Sequence, residues 1–227
     1  MPRRARSIVG GLVYHILNRA NSRLTLFRKP ADYEAFERVL EEACERLPLP
    51  VLTYSVMPNH WHFLVWPPAG EDRLVSEFFR WLTVTHTQRW HAHQHTSGTG
   101  HLYQGRFKSF PIEQDEHFLT VARYVERNPL RANLVARAED WRFGGLARRA
   151  RGRIAGKLLS PWPLPLPKLW RDHVNKPQTE AEEASIRRSV QRGTPFGTAE
   201  WVDSKVSELG LESTIRSPGR PRKAVLE

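Results

Sequence analysis

The sequence predicts an α+β fold, one antiparallel sheet with helices laid against it, and three observations lead there. Short runs of β-branched, aromatic and apolar residues mark strands at Val13–Leu17, Val51–Met57 and His60–Trp66. Longer stretches carry apolar residues three and four apart, the spacing of a buried helical stripe. The two kinds of segment alternate as β-α-β-β-α-β-α. That order is the split βαβ, ferredoxin-like arrangement, expected to carry helices on one face and to leave the other open for a ligand.

The first strand, Val13–Leu17, is followed by a turn region, and Pro30 helps to start a helix. From Asp32 to Glu45 that helix places Tyr33, Phe36, Val39, Leu40 and Ala43 toward a core and six carboxylates toward water. Pro58-Asn59, between the second and third strands, is a tight-turn signal that makes them an antiparallel pair. Leu74, Phe78, Trp81, Leu82 and Thr85 give the second helix its stripe, which fades in the histidine-rich segment His91–His101. Arg106–Ile112 forms a fourth strand, and Asp115–Arg127 a third helix with Phe118, Val121, Ala122 and Val125 facing the core. Pro129 is expected to end that helix.

Beyond Trp141 the composition changes. Basic residues follow one another without an acid until Asp172, and Pro161, Pro163, Pro165 and Pro167 argue against regular structure, so this stretch reads as a linker or wrapping arm. Thr179-Glu180-Ala181-Glu182 is a capping box opening a helix that stops at Gly193, and Thr198 caps another ending at Gly210. The end of the chain, from Ser213, is basic and rich in turn residues. Its Pro218-Gly219-Arg220-Pro221-Arg222-Lys223 could stay extended and enter a narrow A·T minor groove, or be a basic terminus with no groove preference.

Charge narrows the class of partner. The 227 residues carry 35 Lys and Arg against 24 Asp and Glu, a net charge of +11, which favours polyanions. Residues 1–31 contain no acid at all, and neither does the stretch from Phe78 to Ile112. No apolar run approaches the roughly 18 residues of a membrane span, and no apolar stretch of secretory type follows the basic start, so a cytoplasmic, nucleoid-associated protein is expected. The one cysteine, Cys44, excludes an internal disulfide framework and a multi-thiolate zinc site.

Two constellations carry chemistry. In His60-Trp61-His62 on a strand, both imidazoles point to one side and can reach one ion, while Trp61 points the other way, under the helices. On the third helix Tyr124 lies at the edge of the apolar stripe, and Asn128, one turn later, shares its flank. Each has an ordinary reading too: surface or half-buried histidines, and a boundary tyrosine near a helix-terminal asparagine.

Taken in order, these motifs resemble a family. Tyr14-His15-Ile16, Met57-Pro58-Asn59-His60-Trp61-His62, Gln104-Gly105-Arg106-Phe107-Lys108-Ser109 and the segment Tyr124–Asn133 are similar to the HUH single-strand endonucleases, and among them to the REP-associated tyrosine transposases. The likeness extends to Arg192-Gly193-Thr194-Pro195-Phe196-Gly197, Trp201, Leu209-Gly210-Leu211 and Gly219-Arg220-Pro221-Arg222. The resemblance implies that Tyr124 is the nucleophile and that His60 and His62 are metal ligands. The polar residue one turn after the tyrosine would complete the site. Here it is Asn128, where other branches have glutamine.

The implied activity is metal-dependent cleavage and rejoining of single-stranded DNA at palindromic, REP-like hairpins through a 5′-phosphotyrosine, with Mg²⁺ or Mn²⁺ as cofactor. Arg3, Arg4, Arg6, Arg106, Lys108, Arg127 and Arg131 are the expected backbone contacts, with Arg220, Arg222 and Lys223 in the tail. The chain divides accordingly into a catalytic domain (1–145), a basic proline-rich arm (146–178), a helical appendage (179–212) and a basic tail (213–227), acting as monomer or homodimer. A ferredoxin-like module that binds nucleic acid without cutting is one alternative, but the Gly-aromatic segment of RNA-recognition domains is missing. A metal-dependent hydrolase is another, and the sequence places no acid near the histidine pair.

Overall fold

The computed structural model describes residues 8–151 and 158–216. Strands β1 (Val13–Arg19), β2 (Val51–Met57), β3 (His60–Val65) and β4 (Lys108–Ile112) form an antiparallel sheet in the order β2-β3-β1-β4. Helices α1 (Pro30–Arg46) and α2 (Leu74–Gln94) are the two crossovers, and α3 (Glu116–Arg131) follows β4. This is the expected ferredoxin-like order.

Alternation along the strands sorts side chains into two cores. Tyr14, Ile16, Val56, Trp61 and Phe63 pack with Phe36, Leu40, Phe78 and Phe79 of α1 and α2. Trp61 lies stacked on Phe79, ring centroids 5.4 Å apart, and its indole N–H donates to Tyr103 Oη, which in turn bonds His86 Nδ1. Val13, Leu52, Leu64, Phe110 and Ile112 face the other way and pack against Phe118, Val121, Ala122 and Val125 of α3. The second face is therefore open only in part, because the apolar stripe of α3 needs a surface and these residues supply it. His15, His60 and His62 alternate onto this same face, between the sheet and α3.

Two local expectations are corrected, on α3 and on the proline-rich arm, and a third position is only located. α3 runs through Pro129 to Arg131, since a proline in the last turn forfeits little beyond its own N–H, and Ala132 N–H still bonds the Asn128 carbonyl. The boundary drawn at residue 145 falls at the start of α4 (Gly145–Ala150). The proline-rich arm contains a helix, α5 (Trp170–Asn175), which begins just after the prolines end.

The described part of the arm is packed down rather than loose. Trp162, Leu164, Trp170 and Val174 join the core under α3. Glu126 of α3, buried to 3% exposure, accepts from Thr53 Oγ1 (2.5 Å), Arg149 (2.6 Å) and Trp170 Nε1 (2.7 Å). Gly145 makes the approach of α4 to β2 possible, because a Cβ there would stand 2.2 Å from Thr53 Oγ1.

The appendage comprises α6 (Glu180–Arg192), α7 (Ala199–Leu209) and α8 (Glu212–Ile215). The first two carry the expected caps: the Thr179/Glu182 box and Gly193 at φ 77° on α6, then Thr198 and Gly210 at φ 63° on α7. Both sheet edges are covered. Phe143 and Gly144 bond along β2, and Phe196 bonds Pro111 and Glu113 beside β4. No helix among the described residues is long and apolar enough to cross a membrane.

Candidate active site

The β3 register places His60 and His62 two residues apart on the α3 face, with ring centroids 5.0 Å apart. Tyr124 projects from α3 toward them, its ring centroid 6.0 Å from that of His62 and nearly perpendicular to it. Asn128, one helical turn on, lines the same cavity of about 520 Å³. The spacing that aligned Tyr124 and Asn128 on one flank of the helix, and the two histidines on one side of the strand, brings all four together here.

Hydrogen bonds orient each member. His60 Nδ1 bonds Asn59 Oδ1 at 2.6 Å and His62 Nδ1 bonds His15 Nε2 at 2.8 Å, so Nε2 is the nitrogen each ring keeps out of these bonds. Burial, with Arg19 and Arg131 nearby, lowers His60 to about 4. Burial, neighbouring imidazoles and the same arginines hold His62 well below its usual value. Both rings are neutral at physiological pH, the form a metal requires. Asn128 accepts from Arg131 at 2.9 Å, and its buried Nδ2 has no hydrogen-bond partner. Two imidazole nitrogens and an amide oxygen with a second lone pair fit a divalent cation such as Mg²⁺ or Mn²⁺.

Positive charge surrounds this set. Arg19, Arg106, Lys108, Arg131 and Arg187 line the cavity and, among the described residues, no carboxylate does. Arg131 lies with its guanidinium carbon 4.4 Å from the Tyr124 ring centroid. Glu183 of α6 holds it there at 3.4 Å and also bonds Arg187 at 2.5 Å. A wider groove of about 820 Å³ adjoins, walled by α2 and residues 101–107, and shares Asn18, Gln104 and Arg106 with the cavity.

The family model of IS200-like transposases matches residues 8–128, more than half of the sequence. The chain belongs to the IS200-like transposase family. This transposase is 25% identical over 156 residues to a protein of Haemophilus influenzae assigned to the REP-associated tyrosine transposases, a match covering 64% of this chain and 85% of the relative. It is 25% identical over 136 residues to the REP-associated tyrosine transposase of Escherichia coli, covering 60% and 76%. Its fold is that of a REP-associated tyrosine transposase solved bound to a REP hairpin, with a TM-score of 0.55 at 17% identity over 79% of this chain and all of the other.

Of the expected contacts in this transposase, Arg106, Lys108 and Arg131 stand at the cavity. Arg127 does not: its guanidinium donates to the carbonyls of Val174 (3.0 Å) and Asn175 (2.6 Å), closing the end of α5. The reason is the arm, which folds back onto α3 and presents unsatisfied carbonyls there. Arg3, Arg4, Arg6, Arg220, Arg222 and Lys223 lie outside the described residues.

Some residues at the cavity were missed. His15, buried behind His62 rather than in the cavity lining, carried a signal as the polar residue of the Tyr14-His15-Ile16 motif on a central strand. Arg187, Val190 and Gln191 carried none, since only the fold-back of α6 brings them to the cavity. Glu183, on the same helix, pairs with Arg131 and Arg187 without lining the cavity itself.

A separate group, Glu113, Asp115 and His117, has ligand-type atoms within 4.8 Å of one another at the start of α3. Its carboxylates already have structural partners: Asp115 caps α3 through His117 N–H, and Glu113 accepts from Thr198 N–H. Cys44 is half-buried, and burial pushes its thiol up to about 12, away from the thiolate form.

Proposed function

We propose that this transposase cuts and rejoins single-stranded DNA beside REP-like hairpins through a covalent 5′-phosphotyrosine on Tyr124. The observation that carries the reading is the approach of the Tyr124 ring to within 6.0 Å of His62 in a cavity walled by cationic side chains. Tyr124 Oη attacks the scissile phosphorus and loses its proton. The P–O3′ bond breaks, and the leaving oxygen gains a proton to become a free 3′-hydroxyl. Because a phosphodiester is kept, a 3′-hydroxyl can attack the tyrosyl linkage in reverse and join strands without another energy source.

His60, His62 and Asn128 would hold the Mg²⁺ or Mn²⁺, whose chemistry is to neutralise charge on a non-bridging phosphate oxygen and orient the phosphorus. Arg131, against the face of the Tyr124 ring, sets a positive charge where phenoxide character develops. Arg106 and Lys108 bind the phosphates on either side. A closed duplex, roughly 20 Å wide with its bases stacked inside, does not fit a cavity set between a sheet and two helices, so the substrate is unpaired at the cut. The adjoining groove gives the strand its path, along Asn18, Gln104 and Arg106.

Denaturing electrophoresis of the protein incubated with a labelled hairpin oligonucleotide and Mn²⁺ tests this reading. Wild type forms a covalent protein–DNA band, whereas Tyr124→Phe binds the hairpin within about twofold of wild type by anisotropy and forms none. A band that persists in Tyr124→Phe assigns the nucleophile elsewhere, and a wild type that never forms one refutes the chemistry.

A further inference from the structure

His15 stands on the central strand and is 1% exposed, too buried to serve as a substrate contact. It pairs across the ladder with Leu64, while His62 pairs with Leu17, so the two histidines are diagonal neighbours on one face of the sheet. Their rings lie 5.0 Å apart, joined by the 2.8 Å bond from His15 Nε2 to His62 Nδ1. Phe110 packs 4.9 Å from the other side of His15 and keeps its ring in place.

A bond between two neutral imidazoles contains one proton, and its position decides what His62 can do. If His15 donates, His62 carries its own proton on Nε2 and has no lone pair there. If His62 donates, Nε2 is free. On His60 the choice is already made, because Asn59 Oδ1 can only accept, so His60 donates from Nδ1 and keeps its Nε2 lone pair. The two rings act as a matched pair only if His15 is the acceptor.

We infer that His15 is a positioning residue that accepts the Nδ1–H of His62 and so holds the His62 Nε2 lone pair open for the cation. The inference rests on the reading of His60 and His62 as cation ligands. Partners of this kind fix the tautomer and orientation of a ligating histidine, and losing one weakens metal affinity about 10- to 100-fold.

Calorimetric titration of Mn²⁺ into the DNA-free protein tests it. His15→Phe keeps an aromatic ring against Phe110 and removes the acceptor, so affinity drops at least 10-fold, and His15→Gln, whose amide oxygen accepts, recovers part of it. A His15→Phe protein that binds Mn²⁺ as wild type does, while His62→Ala loses binding, overturns the role of His15 alone. Unchanged binding in His62→Ala overturns the ligand reading beneath it. Long-range ¹H–¹⁵N correlation spectra of metal-free wild type give a check that needs no variant: the proton of His62 is expected on Nδ1, and finding it on Nε2 refutes the inference.

Discussion

His86 sits in the core between α1 and α2, 4% exposed, stacked on Phe27 and bonded to Tyr103. Burial lowers it from 6.5 to about 3, opposed only weakly by Asp32 on α1. Its folded value lies below its unfolded one, so as pH falls the unfolded chain takes up the proton first. The stabilisation is complete above about 6.5 and is lost as pH drops toward 3, at about 1.4 kcal/mol per pH unit. Urea denaturation at pH 7 and pH 5 should show a loss of stability in wild type that is smaller by about 2 kcal/mol in His86→Gln. An equal loss in both proteins would mean that His86 is not responsible. At this scale the sequence shows residues whose partners are close along the chain. The His60-Trp61-His62 triplet and the Tyr124–Asn128 turn follow from strand and helix periods alone. The bond of His15 to His62 depends on the β1–β3 register, which no local pattern states.

Among the elements, α3 has two tasks that its sequence separates by face. Phe118, Val121 and Val125 seat it on the sheet, Tyr124 and Asn128 face the cavity, and Glu126 fastens it to β2, α4 and α5. A buried carboxylate with three donors holds a helix in one position for as long as those bonds are made. Glu126→Ala takes the carboxylate from Arg149, leaving a charge whose side chain is 8% exposed with the Leu52 carbonyl as acceptor, and should cost about 3 kcal/mol or more of unfolding free energy. Trp170→Phe, which removes one donor and keeps most of the apolar contact, should cost about 1 kcal/mol. Urea midpoints measure both, and a Glu126→Ala protein as stable as Trp170→Phe would show that the network does not fasten the helix. The four strands and first three helices were legible because each carries its own periodic pattern. α4 and α5 are six residues each, too short for a period to show or for a helix to form unaided, and they exist because Gly145 fits against Thr53 and Trp170 reaches Glu126.

Across the whole molecule, a net charge of +11 says that a polyanion is attracted, but it does not say which cations meet it. Folding sorts them. Arg89 closes a bidentate pair with Glu42, Arg148 joins Glu37 and Glu41, and Arg127 closes the end of α5. Lys108, by contrast, is exposed at the cavity mouth. Binding of an unpaired strand releases about 0.7 counterion per phosphate neutralised, so each contacting cation adds about that much to the slope of log affinity against log salt. Hairpin affinity measured by anisotropy across a salt series should therefore give a slope shallower by about 0.7 for Lys108→Ala. Arg127→Ala should leave the slope unchanged and lower the urea midpoint, because it releases the carbonyls of Val174 and Asn175. A shallower slope for Arg127→Ala with an unaltered midpoint would return that side chain to the DNA.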